Sequence, residues 1–182
     1  MHPQLQVVID EFESAERRFE AVVQAVPADR WAQRADPDRW SVAECIVHLN
    51  LTSRAFLPLM RDALARARAL GTAAPARYRR DPLGWLLWKT MPPPVRMRVK
   101  TTAAFVPTAN EPRDAVVGEF RRLQAEQIAS VRDADGLPLG DVRVPSPFRA
   151  NVSYNLFSAI TILPRHQQRH LWQAEQIWAP PK

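Results

Sequence analysis

Near the start of the chain, apolar residues recur every three or four positions: Leu5, Val8, Ile9, Phe12, Ala15, Phe19, Val22, Val23 and Val26. That 3.6-residue period predicts an amphipathic helix from about Gln4 to Val26, ended by Pro27. A second periodic run opens at Ser41, a good N-cap, and Glu44 three positions on completes an S-x-x-E capping box. This run reaches the stop at Gly71, and Pro58 in its interior should kink or divide it. The intervening PADRWAQRADPDRW carries Trp31 and Trp40, two indoles large enough to draw the connection onto the core. A third helix is expected from Pro112 to Arg132, with Ala115, Val116, Phe120, Leu123, Ile128 and Val131 as its apolar face. A fourth is expected from Asn151 or Ser153 to Trp178, bent at Pro164.

The remaining stretches are punctuated by proline and glycine. Residues 71–112 read as irregular, with one short helix at 82–91 ahead of Pro92, Pro93 and Pro94. A connection of that length between the second and third helices is long for a compact domain and is often functional or a lid. A second loop contains Gly136 and Gly140; its VRV at 142–144 is too short to count as a strand, and no strand pair is expected. The pattern predicts an all-α fold, a four-helix bundle forming a single domain over residues 1–182, of a kind whose interior commonly holds metal sites.

Composition narrows the classes. Over 182 residues, hydrophobic content is 46% and charged content 24%, ordinary for a globular chain able to bury a core without disulfides. No run of about 18 uncharged apolar residues is present, so no membrane partner is expected. The acidic, amphipathic start does not resemble a signal peptide, which places the expected location in the cytoplasm. Heavy use of Arg and Ala fits a high-GC bacterial genome. The single cysteine, Cys45, sits between Ala43 and Ile46 and reads as a buried, inert thiol. A net charge of +6 raises nucleic-acid binding. Most of the arginines, however, alternate with Asp and Glu on helices, and no binding motif accompanies them, so no nucleic-acid partner is expected. Two denser basic patches, Arg77/Arg79/Arg80 and Arg96/Arg98/Lys100, could attract an anionic ligand, although a solvated face is the preferred reading.

Three histidines carry the candidate chemistry. His166 and His170 form an H-x-x-x-H pair in HQQRHLWQAEQIW, and residues four apart share a helix face. His48 lies on the second helix, in RWSVAECIVHLN. A bundle could bring its imidazole to the pair and complete a three-nitrogen metal site with room for water or substrate. Taken singly, His48 reads rather as a hydrogen-bonded core histidine, and the pair could be a chance feature of a surface helix. Gln167 stands where a zincin needs its glutamate, which argues against that protease class. Glu44 could be a fourth ligand or an acceptor for an imidazole N–H, with the helix cap preferred; Gln173 could line the site or be exposed.

RWSVAECIVHLN resembles the W-S-x-x-E-x-x-x-H-L signature of the DinB/YfiT-like putative metalloenzyme superfamily, and LPRHQQRHLWQAEQI resembles its C-terminal H-x-x-x-H-x-x-Q helix. RWAQRADPDRW is similar to the lead-in to that family's second helix. The resemblance implies an up-down-down-up bundle and a divalent metal, zinc or nickel, on His48, His166 and His170. Characterised members of the family include thiol-dependent S-transferases. The expectation is therefore a metal-dependent transferase joining a low-molecular-weight thiol cosubstrate to a small-molecule electrophile, with catalytic residues unassigned. A noncatalytic metal-binding stress-response protein and a metal-dependent hydrolase are the alternatives, and a homodimer is allowed for. Arg79 or Arg96 could take the carboxylates of the thiol. The 71–112 insertion departs from the family pattern and leaves the substrate open.

Overall fold

The computed structural model describes residues 1–94 and 101–178. Its first helix, α1, spans Pro3–Ala25, close to the expected bounds. A single turn, α2 (Ala28–Trp31), follows and buries Trp31. The long helix α3 spans Val42–Ala69, and its start is fixed as expected. The Ser41 hydroxyl accepts from the Glu44 N–H at 3.2 Å, and the Ser41 N–H donates to the Glu44 carboxylate at 2.7 Å. Pro58 does not divide α3, which continues as one element through that position. Gly71, at φ 65°, ends it with a left-handed residue that glycine adopts without steric cost.

The insertion contains α4 (Pro82–Thr90), capped by Asp81, and one 3-10 turn at Ala103–Phe105. Gly84 lets α4 approach the last helix closely, because a Cβ there would overlap the Ser158 side chain. The basic cluster Arg96/Arg98/Lys100 lies outside the described residues. Next comes α5 (Arg113–Asp133), with Pro112 as its N-cap rather than its first residue.

The second loop corrects the expectation. Strands β1 (Arg143–Ser146) and β2 (Arg149–Asn155) pair antiparallel, with Val144 opposite Tyr154 and a register shift at Pro145/Ser146. Val142, Val144 and Ser146 alternate inward with exposed Arg143 and Pro145 outward, the period of a half-buried strand. The fourth long helix, α6 (Leu156–Trp178), therefore begins later than Asn151 or Ser153. The Asn155 side chain accepts from the Ser158 N–H at 2.8 Å and starts α6 after the strand.

Two apolar clusters fill the interior. One joins the first half of α1, the second half of α3, the end of α5 and the start of α6, including Phe12, Met60, Val131 and Ile160. The other joins the opposite halves of the same helices, including Phe19, Ile46, Phe120 and Leu171. Sharing the clusters in this way requires α1 and α6 to run one way and α3 and α5 the other. Helices α5 and α6 each pack on both α1 and α3. Trp31 belongs to the second cluster and Trp40 packs against it, as expected of the two indoles. The described residues are mostly helical, an all-α bundle with one small hairpin, and none of their helices is long and apolar enough to cross a membrane.

Candidate metal centre

The capping box places His48 in the second turn of α3, facing α6, and the four-residue spacing on α6 presents His166 and His170 together. The structure brings these three together. Each offers a ring nitrogen, and those atoms all lie within 4.8 Å of one another. The Nε2 atoms of His48 and His166 are 3.4 Å apart. Ring centroids of His170 lie 4.5 Å from His48 and 4.6 Å from His166. The side chains are almost sealed, at 2%, 9% and 8% exposure for His48, His166 and His170.

Hydrogen bonds set which nitrogens keep their lone pairs. His48 Nδ1 is 2.8 Å from the Phe105 carbonyl oxygen, which can only accept, so the proton sits on Nδ1 and the Nε2 lone pair faces the other rings. His170 Nδ1 donates to Gln173 Oε1 at 3.1 Å with the same result. An imidazole tied at one nitrogen to an oxygen acceptor is oriented for coordination through the other. Burial depresses the pKa of all three rings. Phe105 opposes the shift at His48. Neighbouring charges, those of Arg169 and the other imidazoles, reinforce it at His166 and His170. The rings are thus neutral near pH 7, the form in which histidine binds metal. Converging ring nitrogens, neutral ligands and the outward-turned N–H groups of His48 and His170 fit one cation.

Glu44 does not join them. Its carboxylate pairs with Arg34, at 2.9 Å from Arg34 Nε and through a second shorter contact with Nη2, and it also accepts from Ser41. Burial works to raise its pKa, but the Arg34 pair and the Ser41 bonds outweigh that and hold it below the usual value. The cap, reinforced by an ion pair, accounts for this residue fully. Gln173, by contrast, is a direct partner of a candidate ligand.

Aromatic rings wall the cluster. The Trp40 centroid is 4.9 Å from His48 and stacks at 5.7 Å on His170. Phe148, in the hairpin turn, lies 6.2 Å from His166 and 4.3 Å from Phe105. Sequence reasoning missed Phe105 and Phe148 because a backbone carbonyl and a turn residue leave no periodic signal. The groove lined by Val7, Glu11, Pro92, Arg165 and Gln168 touches none of the three histidines. Cys45 is buried and its thiol pKa is pushed far up by burial, so the inert reading stands.

Fold and cluster together define a helical bundle able to hold one metal ion between its inner faces. The sequence model of the DinB superfamily matches residues 11–174, and the chain belongs to that metal-binding superfamily. No curated protein and no solved structure matches it.

Proposed function

We propose that His48, His166 and His170 hold a divalent ion, zinc or nickel, and that the protein is a metal-dependent enzyme joining a low-molecular-weight thiol to a small electrophile. The observation that carries this reading is the convergence of three neutral imidazoles, two of which, His48 and His170, turn their Nδ1–H onto oxygen acceptors. Imidazole suits zinc and nickel alike. Ligands without charge leave such an ion its full +2, and the chemistry it supplies is the acidification of a thiol brought to it.

The chain's own residues then position and shield. The Phe105 carbonyl and Gln173 fix the rings of His48 and His170, while Trp40 and Phe148 keep bulk water from the reacting groups. Hydrolysis of a substrate requires a general base for water, and the carboxylate next to the site, Glu44, is committed to Arg34 and Ser41. That favours a thiol, which needs only alignment and loss of its proton to solvent before its sulfur bonds the electrophilic carbon and the leaving group, a halide for an aryl halide, departs from that carbon. The test is consumption of a panel of low-molecular-weight thiols with an aryl halide by metal-loaded protein. Metal-dependent turnover, absent in His48→Ala, is expected; no turnover with any thiol would overturn the enzymatic reading.

The near-complete burial of the triad favours a second reading, an ion that only stabilises the bundle. In that case chelation lowers the melting temperature and no assayable turnover exists to be lost. An unchanged melting temperature after chelation excludes the structural role.

A further inference from the structure

Arg80 is held in a fixed orientation by contacts of its backbone neighbours and of its guanidinium. Its backbone is pinned on both sides: Asn155 Nδ2 donates to the Arg79 carbonyl at 2.9 Å, and the Asp81 N–H donates to Ser158 Oγ at 3.2 Å. Its guanidinium carbon lies 4.0 Å from the Trp88 ring centroid and 5.2 Å from that of Phe157, and its Nε donates to Thr161 Oγ1 at 2.8 Å. The faces and one edge of the group are therefore committed. The remaining edge is not: neither Nη atom has a hydrogen-bond partner among the described residues, and neither is sealed from solvent.

The charge around Arg80 is unbalanced. Half-buried Arg18 and Arg165 pair with the carboxylates of Glu175 and Glu11, whereas Arg80 pairs with none among the described residues. Asp81, its neighbour, is turned to Gly84, Ser158 and Arg143. Arg165 brings a second guanidinium to 3.7 Å from the same Trp88 ring, and Glu11 bonds it at 3.0 Å. Two further donors of the cluster, Trp88 Nε1 and Arg165 Nε, are buried with no acceptor. Burial, and then the positive charge of Arg165, press the Arg80 pKa downward; the Glu11 carboxylate, bonded to Arg165, opposes them without reversing the direction.

We propose that the free Nη edge of Arg80, backed by Arg165 and Trp88, binds the carboxylate or phosphate group of a small anion. A planar guanidinium with an unpartnered fork and a fixed orientation meets two oxygens of either group side by side, with little rotamer freedom left to lose. The subsite is defined without reference to the metal.

The test is titration calorimetry and thermal melting of the full chain with succinate and with inorganic phosphate, at constant ionic strength set by chloride. Saturable binding with a rise in melting temperature is expected for at least one of them, and the tighter probe identifies the group. Arg80→Gln should weaken it at least tenfold, while exposed Arg79→Gln leaves it unchanged. His48→Ala should bind as the unaltered chain does, so the outcome is independent of the metal reading. If Arg80→Gln does not fold, Arg80→Lys decides: it keeps the charge and loses the fork, and weaker binding is expected. No saturable binding of either probe, or equal affinity in the unaltered chain and the Arg80 variant that folds, overturns the proposal.

Discussion

The histidine cluster and the Arg80 cluster lie against the same helix, α6, and are opposite kinds of polar imbalance. At the histidine cluster three ring nitrogens converge, and His48 and His170 turn their N–H groups outward, so the interior gathers acceptors. Around Trp88 the surplus is of donors: two guanidiniums, one of them with a buried unpartnered Nε–H, and the buried Trp88 N–H stand against the carboxylate of Glu11. Buried polar groups are nearly always satisfied, so the sign of an imbalance indicates the sign of what completes it. One region calls for a cation and the other for an anion. No residue belongs to both clusters, so each can be tested with the other as control.

The largest effect that could break the contrast is removal of a candidate ligand. His48→Ala should lower divalent-metal affinity beyond the roughly 10–100-fold range of losses typical of outer hydrogen-bond partners, with anion affinity intact. Metal titration by calorimetry reads this directly, and equal affinity in both proteins would remove His48 from the site. Gln173→Leu leaves all three imidazoles but takes the acceptor from His170, so a loss within about 10–100-fold is expected by the same titration.

On the arginine side, Gly84→Val sharpens the separation. The added side chain meets Ser158 and pushes α4, with Trp88, away from α6. It should cost about 1–3 kcal/mol in denaturant unfolding and weaken anion binding, while metal content stays as in the unaltered protein. Loss of the metal in this variant would show the two regions to be coupled.

The smallest effect is on pH dependence. All three histidines have folded pKa values below the ordinary one. Below about pH 6.5 the unfolded chain therefore binds more protons than the folded one, and stability is lost as pH falls. Each histidine contributes at most about 1.4 kcal/mol per pH unit to that slope. Chelated protein should melt at progressively lower temperature from pH 7 to pH 5, and His166→Phe should flatten the curve. A flat profile in the unaltered chelated protein would contradict neutral burial.

What the sequence showed in advance follows a physical rule. Periodicity over twenty or more residues located α1, α3 and α5, and S-x-x-E set the start of α3 at the right residue. The spacing of His166 and His170 fixed their common face, and the capping box put His48 in a definite turn. The hairpin was not legible, because its inward alternation is only Val142, Val144 and Ser146 and is flanked by prolines. The start of α6 was misplaced for the same reason, although Asn155 is a good N-cap by residue type. The Phe105 carbonyl could not be foreseen, since every residue carries one and only the path of the loop aims it at His48. Arg80 read as one of several solvated basic residues; its lack of a carboxylate is a property of tertiary packing.

The central claim is that these three imidazoles hold one divalent ion. Elemental analysis of purified protein, unaltered and with His48, His166 and His170 each replaced by alanine, tests it most directly. About one zinc or nickel per folded chain, lost from every variant that retains its helical spectrum, is the expected result. An unaltered protein that stays metal-free when both ions are supplied, or variants that keep a full equivalent, would contradict it.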